Sequence, residues 1–431
     1  MTSADRGILQ YESSLSKGAA RRLRQIGSAD LLIGIPTHRN GRTVGEVVEA
    51  ALAGVRTYLN GYRVVLMNAD GGSSDNTVRH FEESDLPDNV EPLWTEYAGS
   101  NGKGVAIRSI FEAATRLKVH ACLVLEARAP GIKPEWLPAL ITPVLQGDQI
   151  AMGCYQRSAY DAALTDNLVH PFLRTFLGAD LREPLAGEFC VSGALASELA
   201  AFDVWETHVA RFGVNMWLST HALTQHLRLA QVDLGYRGPG GGEPATLADP
   251  RYLHTLETLF RLLIVHRRIW MSLTQPVTVP WRGPRAVSNR ASLASDHRHL
   301  LWQAFRDGLD DYLDVWRVIL QPATLDEVLA LLAQEQPFAF PADLWARVVY
   351  ESATVYNKGE GDPDRAVEAL LPIFYARAAA YITQSEGLSA PEREPLVQEV
   401  VDTFSAQRPY FDQIWEMYQD WDDDVTRFWL L

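Results

Sequence analysis

Across residues 29–153, short apolar runs alternate with stretches of helical periodicity, and this alternation is what most constrains the fold. The runs are residues 31–35, 64–67, 90–94, 121–125 and 150–153; the first is stopped by Pro36, the second by Ala69-Asp-Gly-Gly-Ser-Ser74. Between them Val44, Val47, Val48, Ala51 and Val55 recur at helical spacing, as do Ile107, Ile110, Phe111 and Ala114. Continuous apolar runs joined by amphipathic helices predict an α/β unit, a mostly parallel sheet covered on both faces. Ligands of such sheets bind beyond the carboxyl ends of the strands. Those ends carry Pro36-Thr37, Asp70-Gly71 and Glu126-Ala-Arg128.

The remainder divides by pattern. Residues 1–28 read as an N-terminal extension, 29–275 as the sheet domain, 276–300 as a Pro- and Arg-rich linker, and 301–431 as an all-α domain. Glycines 238, 240, 241 and 242 around Pro239 read as a flexible loop. Residues 301–431 hold 24 acidic and 9 basic residues and so account for the whole net charge of −15. That balance argues against nucleic acid as a partner, which needs a positive field. The longest near-apolar stretch, residues 370–382, is broken by Pro372 and Arg377, and no run nears the roughly 18 residues of a membrane span. The polar first 25 residues lack the apolar core of a signal peptide, and Cys122, Cys154 and Cys190 form no CxxC or disulfide framework, so a cytoplasmic location is expected. Homo-oligomerisation is compatible with the sequence and not specified by it.

Asn68-Ala-Asp-Gly-Gly-Ser-Ser-Asp-Asn-Thr77 is the most informative segment. An acid at a strand end can accept hydrogen bonds from a base or a ribose, while the glycines allow a tight turn and Ser, Asp or Thr can cap the next helix. Together with Gly-Ile-Pro-Thr37 and Gly102-Lys-Gly104, it resembles the nucleotide-sugar half of GT-A-fold, family-2-like glycosyltransferases. The pattern is most similar to the mannosylglycerate, glucosylglycerate and glucosyl-3-phosphoglycerate synthases. Pro184-Leu-Ala-Gly-Glu-Phe189 resembles their Pro-[Leu/Ile]-Gly-Gly-[Asp/Glu] loop, and Trp205 to Trp217 resembles their Trp-x-x-Asp…Gly-[Ile/Val]-Asp segment.

The resemblance implies a GT-A-like, Rossmann-like sheet domain that moves a sugar from a nucleotide-diphosphate sugar to a small hydroxyl acceptor, such as a glycerate-like acid, with retention at the anomeric carbon. It implies that Pro36, Thr37 and Asp70 contact the nucleoside and that Lys103 lies by the diphosphate, with Glu126 and Arg128 at the same donor site. Glu188 is the candidate catalytic carboxylate. Arg182, Gly187, Arg211, Asn215 and Arg251 are the candidate acceptor-side residues.

Three positions depart from the pattern. The group ends its fourth strand in Asp-x-Asp, which holds a divalent cation, whereas this chain has Glu126-Ala-Arg128. Asn215 stands where the group has Asp, and Asp233-Leu-Gly-Tyr-Arg237 occupies the area of its metal-binding His. Mg²⁺ or Mn²⁺ at Glu126 is therefore the only metal expectation there, and Arg128 is expected to supply positive charge in the cation's place. The alternative is a catalytically inactive sugar-nucleotide-binding or assembly protein on the same fold. His208, His221 and His226 cluster in sequence, but a spacing of five does not put the last two on one helical face, so they are expected to be structural.

Overall fold

The computed structural model describes residues 12–98, 102–129, 131–238, 250–273, 276–285, 297–335 and 338–418. The expected five strands are present as β1 (Leu31–Thr37), β2 (Val64–Asp70), β3 (Val90–Glu96), β4 (Ala121–Val124) and β5 (Ile150–Gln156). Three more follow: β6 (Phe189–Ser192), β7 (Leu229–Tyr236) and β8 (Trp281–Arg282). They form one eight-stranded sheet in the order β3-β2-β1-β4-β6-β5-β7-β8. All pairs are parallel except those of β6, which runs antiparallel to both β4 and β5. β8 falls inside the stretch expected to be a linker: Gln231 pairs with Trp281 and Val232 with Arg282, so that stretch closes the edge of the sheet. Most of the glycine-rich loop expected around Pro239 lies outside the described residues.

β1 and β2 are buried nearly throughout, which is why their sequences read as unbroken apolar runs. One face is covered by the helices Val44–Tyr58 and Trp136–Leu145, whose Val47, Val48, Leu137 and Leu140 meet Ile33, Leu66 and Leu123. The other face is covered by the helix Lys103–Leu117 and by the C-terminal helices in one continuous core running from Leu15 to Trp415. The composition boundary near residue 300 therefore does not separate two cores. At its centre lies the helix Pro363–Gln384, buried over most of its length. The apolar stretch 370–382 is thus a core helix, and no described helix is long and apolar enough to cross a membrane.

The two halves meet at a widened helical turn, Thr165–Val169. Asp166 Oδ1 accepts from Arg182 Nη1 (2.7 Å) and Oδ2 from the Tyr381 hydroxyl (2.6 Å). Asn167 Oδ1 accepts from Arg377 Nε (2.9 Å), and its carbonyl accepts from the Trp345 indole (2.6 Å). Every partner here is buried or half-buried, so these bonds are made where water cannot substitute for them.

His170 begins the next turn, 3% exposed, with Nδ1 2.9 Å from the Leu181 carbonyl. Burial, followed by the repulsion of Arg182, lowers its pKa to about 4. The unfolded chain, with an ordinary histidine pKa near 6.5, then binds more protons than the folded one between those values. His170 should therefore contribute its full stabilisation above pH 6.5 and lose up to roughly 3 kcal/mol of it as the pH falls to 4. Urea unfolding of wild type and His170→Gln across pH 4–7 checks this: the variant should show the shallower slope, and equal slopes would refute the assignment.

Candidate functional site

In this strand order β1 lies between β2 and β4, with chain connections leaving in opposite directions, so the sheet's switch point lies beyond the carboxyl ends of β1 and β4. Thr37, Asp70 and Glu126 all lie at that end. Asp70 is 2% exposed, and both its oxygens are engaged: Thr37 Oγ1 (2.7 Å) and Ser73 Oγ (2.6 Å) donate to Oδ1, and Ser73 N–H (2.7 Å) to Oδ2. Thr37 has one proton for two acceptors, since Asn68 Oδ1 lies 2.6 Å away, while Asn68 Nδ2 is buried without a partner among the described residues. Turning the Asn68 amide over gives Thr37 a donor from Asn68 and leaves its own proton for Asp70. Asp75 accepts from the Gly41 and Thr77 backbone N–H groups (3.0 and 3.1 Å), so the second acid of the motif ties its turn to the loop after β1.

Lys103 begins the helix Lys103–Leu117. The flanking glycines have a packing reason. A Cβ on Gly102 would sit 2.3 Å from the Ala210 carbonyl oxygen, and one on Gly104 would sit 1.9 Å from that of Val209. The helix start thus presses directly on the turn His208–Ala210, and Gly104 N–H donates to the Arg211 carbonyl at 2.9 Å. From this seat Lys103 Nζ forms an ion pair with Glu126 Oε1.

The other oxygen of Glu126 meets Arg237. Arg237, the first residue after β7, has its backbone N–H on the Gln156 carbonyl at 3.0 Å, which fixes it beside the end of β5. Its Nη2 lies 3.0 Å from Glu126 Oε2 and also donates to the Arg128 carbonyl at 3.0 Å, while Nη1 lies 3.4 Å from Glu188 Oε2. The guanidinium stacks over the Tyr155 ring at 4.8 Å. Tyr155 donates its hydroxyl proton to Glu188 Oε2 and accepts from Glu188 N–H at 3.2 Å. Lys103, Glu126, Tyr155, Glu188 and Arg237 therefore form one connected group. Tyr155 carries no motif, and the only sequence signal for Arg237 is its place in Asp233-Leu-Gly-Tyr-Arg237, the segment standing in the area of the group's metal-binding His.

The electrostatics follow from this arrangement. Burial alone would raise the pKa of Glu126, but the attraction of Lys103 and Arg237 outweighs it and holds the carboxyl well below the usual range. For Glu188, fully buried, burial wins over the pull of Arg237 and raises the pKa. Its Oε1 is buried and accepts no hydrogen bond among the described residues. Gly187 makes room for the cluster, since a Cβ there would lie 2.3 Å from Glu126 Cδ. Its loop is held from behind by Asn215, whose Nδ2 donates to the Ala186 (2.7 Å) and Leu185 (3.3 Å) carbonyls.

The other expected site residues are placed as follows. Pro36 is part of β1. The Arg128 side chain is exposed, so the arginine against Glu126 is Arg237 and not Arg128. Arg182 is held by Asp166 and Glu394 at the seam with the C-terminal helices. Arg211 is exposed, with Nη1 3.5 Å from His254 Nε2. Arg251 is exposed on the helix Pro250–Val265.

The strand ends fit a divalent cation poorly. Both oxygens of Glu126 are already met by cations, Arg128 cannot ligate, and Asn215 faces the loop carbonyls. The charge an ion would supply is present as Lys103 and Arg237.

No family model matches the chain, and no curated protein matches its sequence. Solved structures do match. Glucosyl-3-phosphoglycerate synthase from Mycobacterium tuberculosis, in complex with Mn²⁺, UDP and glucosyl-3-phosphoglycerate, is 19% identical over 57% of this chain and 82% of that chain, with a TM-score of 0.41. The same enzyme with phosphoglyceric acid is 20% identical over the same shares, with a TM-score of 0.42. A mycobacterial protein is 20% identical over 57% of this chain and 77% of that chain, with a TM-score of 0.41. Overlaps this loose transfer no residue roles, so the function is argued from the site's own geometry.

Proposed function

We propose that this chain is a glycosyltransferase that takes a sugar from a nucleotide-diphosphate sugar and passes it to a small hydroxyl acceptor. The observation that carries the reading is the meeting of Lys103 and Arg237 on Glu126 at the switch point of the sheet. Without ligand, the carboxylate holds the two cations in place. A diphosphate is a stronger and larger acceptor for the same ammonium and guanidinium, and the guanidinium can fork onto two phosphate oxygens.

In this reading the Thr37–Asp70–Ser73 turn receives the nucleoside, and Lys103 and Arg237 stabilise the charge that gathers on the departing diphosphate as the anomeric C–O bond breaks. Glu188 Oε1 offers a buried acceptor to a substrate hydroxyl, which would remove the cost of leaving it unpartnered. Tyr155 fixes the direction of that carboxylate through its two bonds to Glu188. The resemblance to synthases that pass a sugar to a glycerate-type acid favours an anionic acceptor. Arg211 and Arg251 are the exposed arginines offered for it, since Arg182 is held at the seam.

A panel of nucleotide-diphosphate sugars tested by thermal shift, followed by transfer assays with glycerate and phosphoglycerate, tests the proposal. At least one donor should raise the melting temperature, because a ligand of the folded state alone stabilises it. The shift should persist in EDTA, since two fixed side-chain cations stand where an ion would. A shift abolished by chelation would overturn the metal-free donor site, and no shift with any donor would overturn the proposal. Binding without transfer to any acceptor would point to a sugar-nucleotide sensor.

A further inference from the structure

A second constellation lies apart from the Glu126 cluster, and nothing in the donor reading uses it. His208 opens the turn His208–Ala210. His254 and Glu257 lie on the helix Pro250–Val265, three residues apart and hence on one face. One ligand atom from each of the three lies within 4.8 Å of those of the other two. His208 Nδ1 is 2.6 Å from Glu257 Oε2, and the two imidazole centroids are 5.6 Å apart. His221 and His226, its neighbours in sequence, take no part; His221 packs on Trp217 and Phe202.

Glu257 is the telling member. It is 5% exposed, and its Oε2 faces the His208 ring at Nδ1. A buried carboxylate is costly unless positive charge faces it, and a divalent ion between these groups would supply more of it than one imidazole. Asp364, at the start of the helix Pro363–Gln384, adds its negative field to that of Glu257. His208 is half-buried, so the group can be reached from solvent.

We propose that His208, His254 and Glu257 form a binding site for a divalent transition metal of the zinc class. Two imidazoles and one carboxylate are a recurrent donor set for zinc, and they leave a fourth, tetrahedral position for water. Nitrogen donors select against Mg²⁺ and Ca²⁺, which take oxygen ligands.

The ion would link the turn His208–Ala210 to the helix Pro250–Val265. That turn is also the seat of the Lys103 helix, through the close approach of Gly104 to the Val209 carbonyl. A metal here would stiffen the platform from which Lys103 reaches Glu126, without touching the donor. The proposal stands or falls independently of the donor assignment, because its readout is metal binding.

The experiment uses the full chain, stripped of metal, titrated with Zn²⁺ by calorimetry and with Co²⁺ by visible absorption. Wild type should bind one Zn²⁺ per chain and show the intense bands of tetrahedral Co²⁺. Glu257→Gln, which keeps shape and volume, and His208→Asn, at a half-exposed position, should each weaken binding at least tenfold, while Glu126→Gln should leave it unchanged. Should one variant fail to fold, the other still decides. No Zn²⁺ or Co²⁺ binding by wild type would overturn the proposal and leave a simple imidazolium–carboxylate pair. Binding that survives Glu257→Gln and His208→Asn, or that is lost in Glu126→Gln, would overturn it by placing the ion elsewhere.

Discussion

Replacing Arg237 with alanine should weaken binding of a nucleotide-diphosphate sugar by roughly 10- to 150-fold, the equivalent of losing one charged hydrogen-bonding group. The guanidinium touches Glu126, Glu188, the Arg128 carbonyl and the Tyr155 ring, so no neighbouring side chain can take over its position. Arg237→Lys should recover only part of the loss, because an ammonium keeps the charge and loses the fork. Arg128→Ala should bind donor nearly as wild type, since that side chain is exposed and only its carbonyl enters the group. Donor titration calorimetry on the three variants separates these cases. If Arg237→Ala binds like wild type and Arg128→Ala does not, the assignment of the positive charge is reversed.

Gly187→Ala is the second substitution with a large expected effect. The new methyl would lie 2.3 Å from Glu126 Cδ and 2.6 Å from its Oε2, contacts that cannot exist without movement. Glu126 is pinned by Lys103 and Arg237, and the 184–188 loop is pinned by Asn215, so neither side yields freely. Overpacking of this kind costs about 1–3 kcal/mol. Both the melting temperature and donor affinity should fall. In a Glu126→Ala background the carboxyl is gone, and the same Gly187→Ala change should cost little stability. A double-mutant cycle by denaturant unfolding measures that coupling. Purely additive effects would mean that Gly187 is required for some reason other than the approach of Glu126.

The first five strands, and the helices Val44–Tyr58 and Lys103–Leu117 between them, were legible in the sequence. Their cores are continuous apolar runs or single-face periodicities, and such patterns are local. It also marked Thr37, Asp70 and Glu126, because in a parallel sheet the end of each strand is carried to the same side whatever the side-chain packing, whereas Lys103 was marked only by the family resemblance. β6, β7 and β8 were not legible. Four residues, Phe189–Ser192, and two, Trp281–Arg282, are too short for a period to show, and β6 is a strand only because β4 and β5 pair with it on either side. The same holds for side chains that meet across long separations. Arg237 reaches Glu126 from 111 residues away, and His208 finds its partners on a helix more than forty residues later and not in its own neighbourhood. Arg128 was the arginine nearest the strand end in sequence, yet Arg237 faces the carboxylates, because β7 pairs with β5 and delivers its end there. Strand pairing between distant segments, with the side-chain directions it imposes, is a property of the closed tertiary structure and of no segment alone.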